Sequence, residues 1–289
     1  MKKFYSSSTV LILSIISLVF ISVIGSVVVL FIPTAFHTPF RFLIMALVQV
    51  ANVLIVVKVR KHFKFVSPYM PKRPTAKTSV KSVALGVLTF VGMYLISQYV
   101  FVFFEYLGAK SSYLDISGWY IIPAIIVTVI FAPIGEEAVF RCSLTFGLDN
   151  GKRGFAIVIS ALFFALMHIS PLQTFYQFFL GVMLAVLIER TSNVIYPIIA
   201  HASSNLAVII LSCFPTFNIP LFNPLTVILS ILVLALCFML VFIIVRSIPK
   251  ESVISVEVTK ESTSEKVLGI VYCILVVMVC LVFWISAFF

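Results

Sequence analysis

The sequence predicts an all-α polytopic membrane protein, a bundle of eight or nine transmembrane helices. Three observations carry this. Of the 289 residues 62% are apolar, where a soluble domain has nearer half. Only 10% are Asp, Glu, Lys or Arg, against about a quarter in soluble proteins. Apolar runs of about 20 residues, the length that crosses a bilayer as a helix, recur from end to end, with no strand alternation of barrel type and no internal repeat. Residues 1–289 therefore read as a single transmembrane domain.

Breaks by Pro, Gly and charge place the spans near 9–33, 40–57, 82–104, 119–146, 155–170, 174–189, 193–214, 223–245 and 267–289. The first run is too long for the apolar stretch of a signal peptide and lacks a small-residue cleavage site. Lys2, Lys3 and Ser6 to Ser8 thus read as the flank of a retained anchor. The second and third spans border the basic stretch Lys58 to Lys81, and the fourth ends at the turn Gly147 to Gly154. The fifth and sixth are short and separated by Ser170-Pro171, which predicts a re-entrant or tilted pair and holds the count to eight or nine. The seventh starts near Asn193, the eighth precedes Arg246, and the ninth follows Lys266.

With the N-terminus in the cytoplasm and nine spans alternating, seventeen of the twenty Lys and Arg fall on the cytoplasmic side. Arg41 and Lys110 fall outside and Arg141 lies within a span. That asymmetry obeys the positive-inside rule and supports a multi-pass protein of the cell membrane. The net charge of +10 is expected to meet anionic lipid headgroups rather than nucleic acid. The two soluble stretches, Lys58 to Lys81 and Arg246 to Lys266, are too short for a separate catalytic domain. Cys142, Cys213, Cys237, Cys273 and Cys280 all sit in apolar stretches without ligand spacing and read as packing residues.

Eight of the ten acids lie in loops or near span ends, while Glu136 and Glu137 are adjacent inside the fourth span. Ionisable groups at membrane depth cost about 2.5–3.5 kcal/mol each and mark functional sites. The others here are Arg141, His168 in the fifth span and His201 in the seventh, with the polar Asn205 one turn on. A rise of about 1.5 Å per residue puts Glu136 roughly 17 Å, His168 roughly 21 Å, His201 roughly 12 Å and Asn205 roughly 18 Å from the cytoplasmic turns. Four groups from three helices are thus expected in one layer. Glu137 and Arg141, four apart with the acid first, are spaced for an intrahelical ion pair, which leaves Glu136, about 100° around the helix, to face a cavity. Gln49, Asn52, Gln98 and Gln177 read as interhelical hydrogen-bonding groups, and the 29 phenylalanines as lipid-facing bulk.

A carboxylate and an imidazole sharing a water can deprotonate it and return the proton to a leaving amine. His201 and Asn205 can donate to the oxyanion that forms on the scissile carbonyl. Alternatively, Glu136, His168 and His201 supply one carboxylate and two imidazoles, a donor set for catalytic zinc with one open position. Both versions predict amide hydrolysis. No serine or cysteine stands out as a nucleophile with a base at recognisable spacing, which disfavours a covalent mechanism, though Ser203 and Ser204 beside His201 keep it formally open. Two readings from other classes compete: a transporter using the buried Glu and His as a proton relay, and a non-catalytic immunity protein that shields a membrane target.

Glu136-Glu137-x-x-x-Arg141, Phe164-x-x-x-His168 and His201-x-x-x-Asn205 occur in this order in successive hydrophobic segments. Together they resemble the three motifs of the CPBP family, also called the Abi or CAAX protease-like family. It includes the type II CAAX prenyl endopeptidases and bacterial proteins tied to bacteriocin self-immunity. The resemblance covers about residues 119–210. It implies an intramembrane endopeptidase with an eight-helix core, in which Glu136 activates water with His168 while His201 and Asn205 stabilise the oxyanion. Members are usually named metalloproteases, yet a metal-independent glutamate mechanism is argued for the prenyl endopeptidases; zinc and metal-free versions both stay open. The partner it implies is a peptide or membrane-protein substrate.

Overall fold

The computed structural model describes residues 3–64, 67, 69, 71–110, 116, 118–149, 151–214, 221–251 and 260–289. Lys2, Asp115, Glu257 and parts of both soluble stretches lie outside them. The described residues form nine helices and no strand, and eight are long and apolar enough to cross a membrane. These are α1 (Lys3–Val29), α2 (His37–Phe63), α3 (Ala76–Tyr106), α4 (Gly118–Leu148), α5 (Arg153–Leu166), α6 (Pro171–Thr191), α7 (Ile195–Ser212), α8 (Pro224–Ser247) and α9 (Thr263–Ser286). The exception is α5, whose 14 residues rise about 21 Å, short of a hydrocarbon core of about 30 Å. The expected eight or nine thus becomes, among the described residues, eight membrane-length helices and one short helix.

Several helices run past their apolar runs. Helix α2 continues six residues beyond the expected 57, through Lys58 to Phe63, before Lys64 turns the backbone left-handed at φ 50°. Hydropathy reports where lipid ends, whereas a helix ends where a cap or a left-handed residue stops it. Likewise α3 starts at Ala76 rather than 82, because the Thr75 side chain accepts from the Thr78 amide and caps the first turn.

The chain forms two units. The first comprises Met1–Met70, Tyr113–Ala156 and Val253–Val279. Helices α1, α2 and α4 make its core, with Leu11, Ile15, Phe42, Val56, Val139 and Leu144 buried. At one end the Lys3 ammonium donates to the Asp149 carbonyl and lies 4.4 Å over the Phe146 ring. The Tyr5 ring meets Phe63 edge-on at 5.5 Å, and the Tyr5 amide donates to Glu261 at 2.9 Å. The start of α1, the ends of α2 and α4 and the approach to α9 thus share one end, the grouping that alternating spans require.

The second unit comprises Pro71–Ser112, Ile157–Ser252 and Cys280–Phe289. Helix α3 packs against α6, α7 and α8. Lys81 donates to the Ser247 carbonyl at 2.8 Å, Arg190 to that of Ile248 at 2.8 Å, and Lys72 pairs with Glu251 at 3.3 Å. The start of α3 and the ends of α6 and α8 therefore share an end. At the opposite end of α3, the Lys110 amide donates to the Ala287 carbonyl at 2.8 Å. Outward faces of α8 such as Ile231, Leu232, Leu236 and Phe242 are exposed, as a lipid-facing surface should be.

Candidate active site

In the first unit the two glutamates sit on Ala132–Val139, eight residues of α-helix between two π-helical stretches, Ile125–Phe131 and Phe140–Thr145. Such i→i+5 segments are rare and recur at functional sites. Arg141 lies in the second of them, and its Nε donates to Glu137 Oε2 at 2.8 Å with both side chains 0% exposed. The expected ion pair is formed. Glu136 is only half-buried, so the two neighbouring acids occupy different environments.

Glu136 receives a hydrogen bond from α2: Gln49 Nε2 donates to its Oε1 at 3.1 Å, and Asn52 Nδ2 donates to Gln49 Oε1 at 3.1 Å. A glycine makes this approach possible. A Cβ on Gly135 would lie 2.3 Å from Gln49 Oε1 and 2.9 Å from the Gln49 carbonyl oxygen, closer than real contacts allow. The nearby Ser7 Oγ of α1 donates to the Ser143 carbonyl at 2.9 Å inside the π stretch.

In the second unit the structure departs from the expected position of His168. It lies not within a helix spanning 155–170 but in the turn after α5, which stops at Leu166. Ile169 is left-handed at φ 52°, a region β-branched residues avoid, and Pro171 then opens α6. His168 is thus carried on a strained break, where backbone strain tends to collect at functional positions. Its Nδ1 lies 2.8 Å from the Phe164 carbonyl. A carbonyl only accepts, so Nδ1 carries the hydrogen and Nε2 is the basic nitrogen.

The Phe164 ring stands edge-on to both imidazoles, 4.9 Å from His168 and 5.5 Å from His201. It is fully buried, which corrects the reading of the phenylalanines as lipid-facing bulk. Gly181 of α6 leaves room for it, since a Cβ there would approach Phe164 at 3.1 Å. His201, 1% exposed, and half-buried Asn205 lie one turn apart on α7, on one face. Close approach sets α7 as well: a Cβ on Gly86 of α3 would lie 2.0 Å from the carbonyl oxygen of Ala200. Ser203 donates to the Ile199 carbonyl at 2.7 Å and Ser204 shares a hydrogen bond with Tyr176 of α6. Both hydroxyls thus serve packing hydrogen bonds.

Sequence spacing alone missed Gly86, Gly135 and Tyr176, and it named Phe164 only as part of a motif, with no role. The glycines interrupt apolar helices and Phe164 precedes His168 by one turn, so each left a trace in the sequence.

Residues 118–207 match the family described as type II CAAX prenyl endopeptidase Rce1-like. This segment is Rce1-like. The match spans α4 to the middle of α7 and contains all seven motif residues, so the resemblance to the CAAX protease family is borne out over this stretch. The described residues hold eight membrane-length helices, some of them within this segment, so the Rce1-like segment belongs to a multi-pass membrane protein. Neither curated proteins nor solved structures give a match. Among the described residues, neither unit gathers three His, Cys, Asp or Glu side chains as a metal group.

Proposed function

We propose that this chain is an intramembrane endopeptidase that cleaves a membrane-associated peptide or protein, of the kind processed in CAAX maturation or in bacteriocin self-immunity. One observation carries the reading: inside the Rce1-like match, Glu137 is consumed by a sealed ion pair with Arg141 while its neighbour Glu136 keeps partial access. A carboxylate sealed against an arginine is committed to that contact, whereas a half-buried neighbour can be reached by a water.

In this mechanism Glu136 and His168 act on one water. The water proton passes to this pair, the new oxygen–carbon bond forms at the scissile carbonyl, and His201 and Asn205 donate to the oxyanion. Collapse breaks the carbon–nitrogen bond as the pair returns the proton to the leaving amine. The tautomer of His168 supports its part, because an Nδ1–H on a carbonyl presents Nε2 as the base. The same feature fits a zinc ligand, whose second ring nitrogen usually donates to a carbonyl or carboxylate. Glu136, His168 and His201 would hold such an ion, and it would supply polarisation of the carbonyl and acidification of water.

The basic ends gathered in each unit support a cytoplasmic N-terminus in a cell membrane, with anionic headgroups beside Lys58 to Lys81. The deciding experiment is peptide cleavage by purified protein with metal analysis. E136A and H168A should each lose cleavage by about 100-fold or more while inserting normally. Metal present in the wild type and lost in H168A or H201A selects the zinc version. Undiminished cleavage in both E136A and H168A sinks the proposal.

A further inference from the structure

We infer that Gln49 of α2 is a positioning residue for Glu136, an inference that rests on the reading of Glu136 as the water-activating acid. Gln49 lies outside the Rce1-like match at 118–207 and in a helix otherwise built for lipid. A primary amide there needs hydrogen-bond partners to offset its burial.

The polarity of the network fixes what that amide does. Asn52, buried and three residues on along α2, donates Nδ2–H to Gln49 Oε1 at 3.1 Å. With its oxygen so engaged, the Gln49 amide presents Nε2–H to Glu136 Oε1 at 3.1 Å. The reversed amide would set Asn52 N–H against N–H and oppose a carbonyl oxygen to a carboxylate, two repulsive contacts in place of two hydrogen bonds. Asn52 therefore orients Gln49, and Gln49 orients Glu136.

Geometry reinforces the order. Gly135 puts the Gln49 backbone and side chain against the residue immediately before Glu136, at separations no Cβ tolerates. The donor thus comes from a neighbouring helix at a fixed distance, and one oxygen of a carboxylate with three rotatable bonds is held. A general base loses rate steeply when misplaced by about 1 Å, so the device acts on turnover more than on substrate binding.

The test uses full-length protein in detergent or liposomes, with wild type, Q49L, N52L and E136Q compared for peptide cleavage and by infrared spectroscopy. The carboxyl band lost in E136Q reports Glu136 directly. In Q49L that band should shift, and kcat should fall by about 10-fold or more with KM within about two-fold. N52L, which leaves Gln49 in place but unanchored, should fall less than Q49L, and it serves as the reporter if Q49L does not fold. An unshifted Glu136 band overturns the inference whatever the activity. A shifted band with wild-type kcat overturns the positioning role. Full cleavage in E136Q instead defeats the functional reading, while the band still reports on the contact between Gln49 and Glu136.

Discussion

The acid-bearing α4 and the histidine-bearing α5 to α7 handle polar groups in a membrane by different means. In α4 the difficulty is charge, and it is met by charge: Glu137 and Arg141 cancel in a fully buried pair at 2.8 Å, within a helix that departs twice from α geometry. Around the histidines the difficulty is orientation. There a backbone carbonyl, one aromatic ring and a glycine contact help fix the rings. A charge at depth needs a countercharge, whereas an imidazole needs its plane set.

The comparison breaks most visibly at the ion pair. R141L should destabilise the protein by about 3–5 kcal/mol, since Glu137 is left buried and uncompensated. E137L/R141M should recover most of that loss, because removing both charges also removes their desolvation cost. Thermal unfolding in detergent checks both, and equal Tm values for R141L and wild type would mean that the pair is not what holds α4. Next in size is G86A, at about 1–3 kcal/mol, because the added methyl must displace α7 at Ala200 beside His201. Its cleavage rate should fall together with its stability, and an unchanged melting curve would count against the close contact. F164L should cost about 1.5 kcal/mol from the loss of two edge-on ring contacts, and should broaden the NMR signals of both histidines. The smallest effect is Y176F at about 1 kcal/mol, one hydrogen bond to Ser204; a larger loss of turnover than of stability would give Tyr176 a part in setting α7.

Much of the fold was legible, because lipid imposes a plain code: apolar length gave the spans, and basic flanks grouped helix ends that meet within each unit. The buried Glu137–Arg141 pair was legible too, from four-residue spacing alone. What hydropathy hides is backbone irregularity. Nothing in Ile125–Phe131 or Phe140–Thr145 distinguishes a π from an α stretch, since the difference lies in how neighbours press on the helix. His168 was placed on a helix because Pro171 marked the break, while the turn begins at Met167. Gln49 and Asn52 were recognisable as polar groups wanting partners, but their partner is 87 residues away for Gln49, and no local pattern names it.

The two π stretches of α4 also bear on how the sequence can change. Each holds one residue more per hydrogen-bonded loop than an α-helix, so deleting a residue from 125–131 can be absorbed by tightening that stretch to ordinary helix. The residues on both sides would keep their faces, so Ala132–Val139 and its two glutamates keep their seat against α2. Such a helix tolerates the loss of one residue on that side of the acids without turning either half of the span.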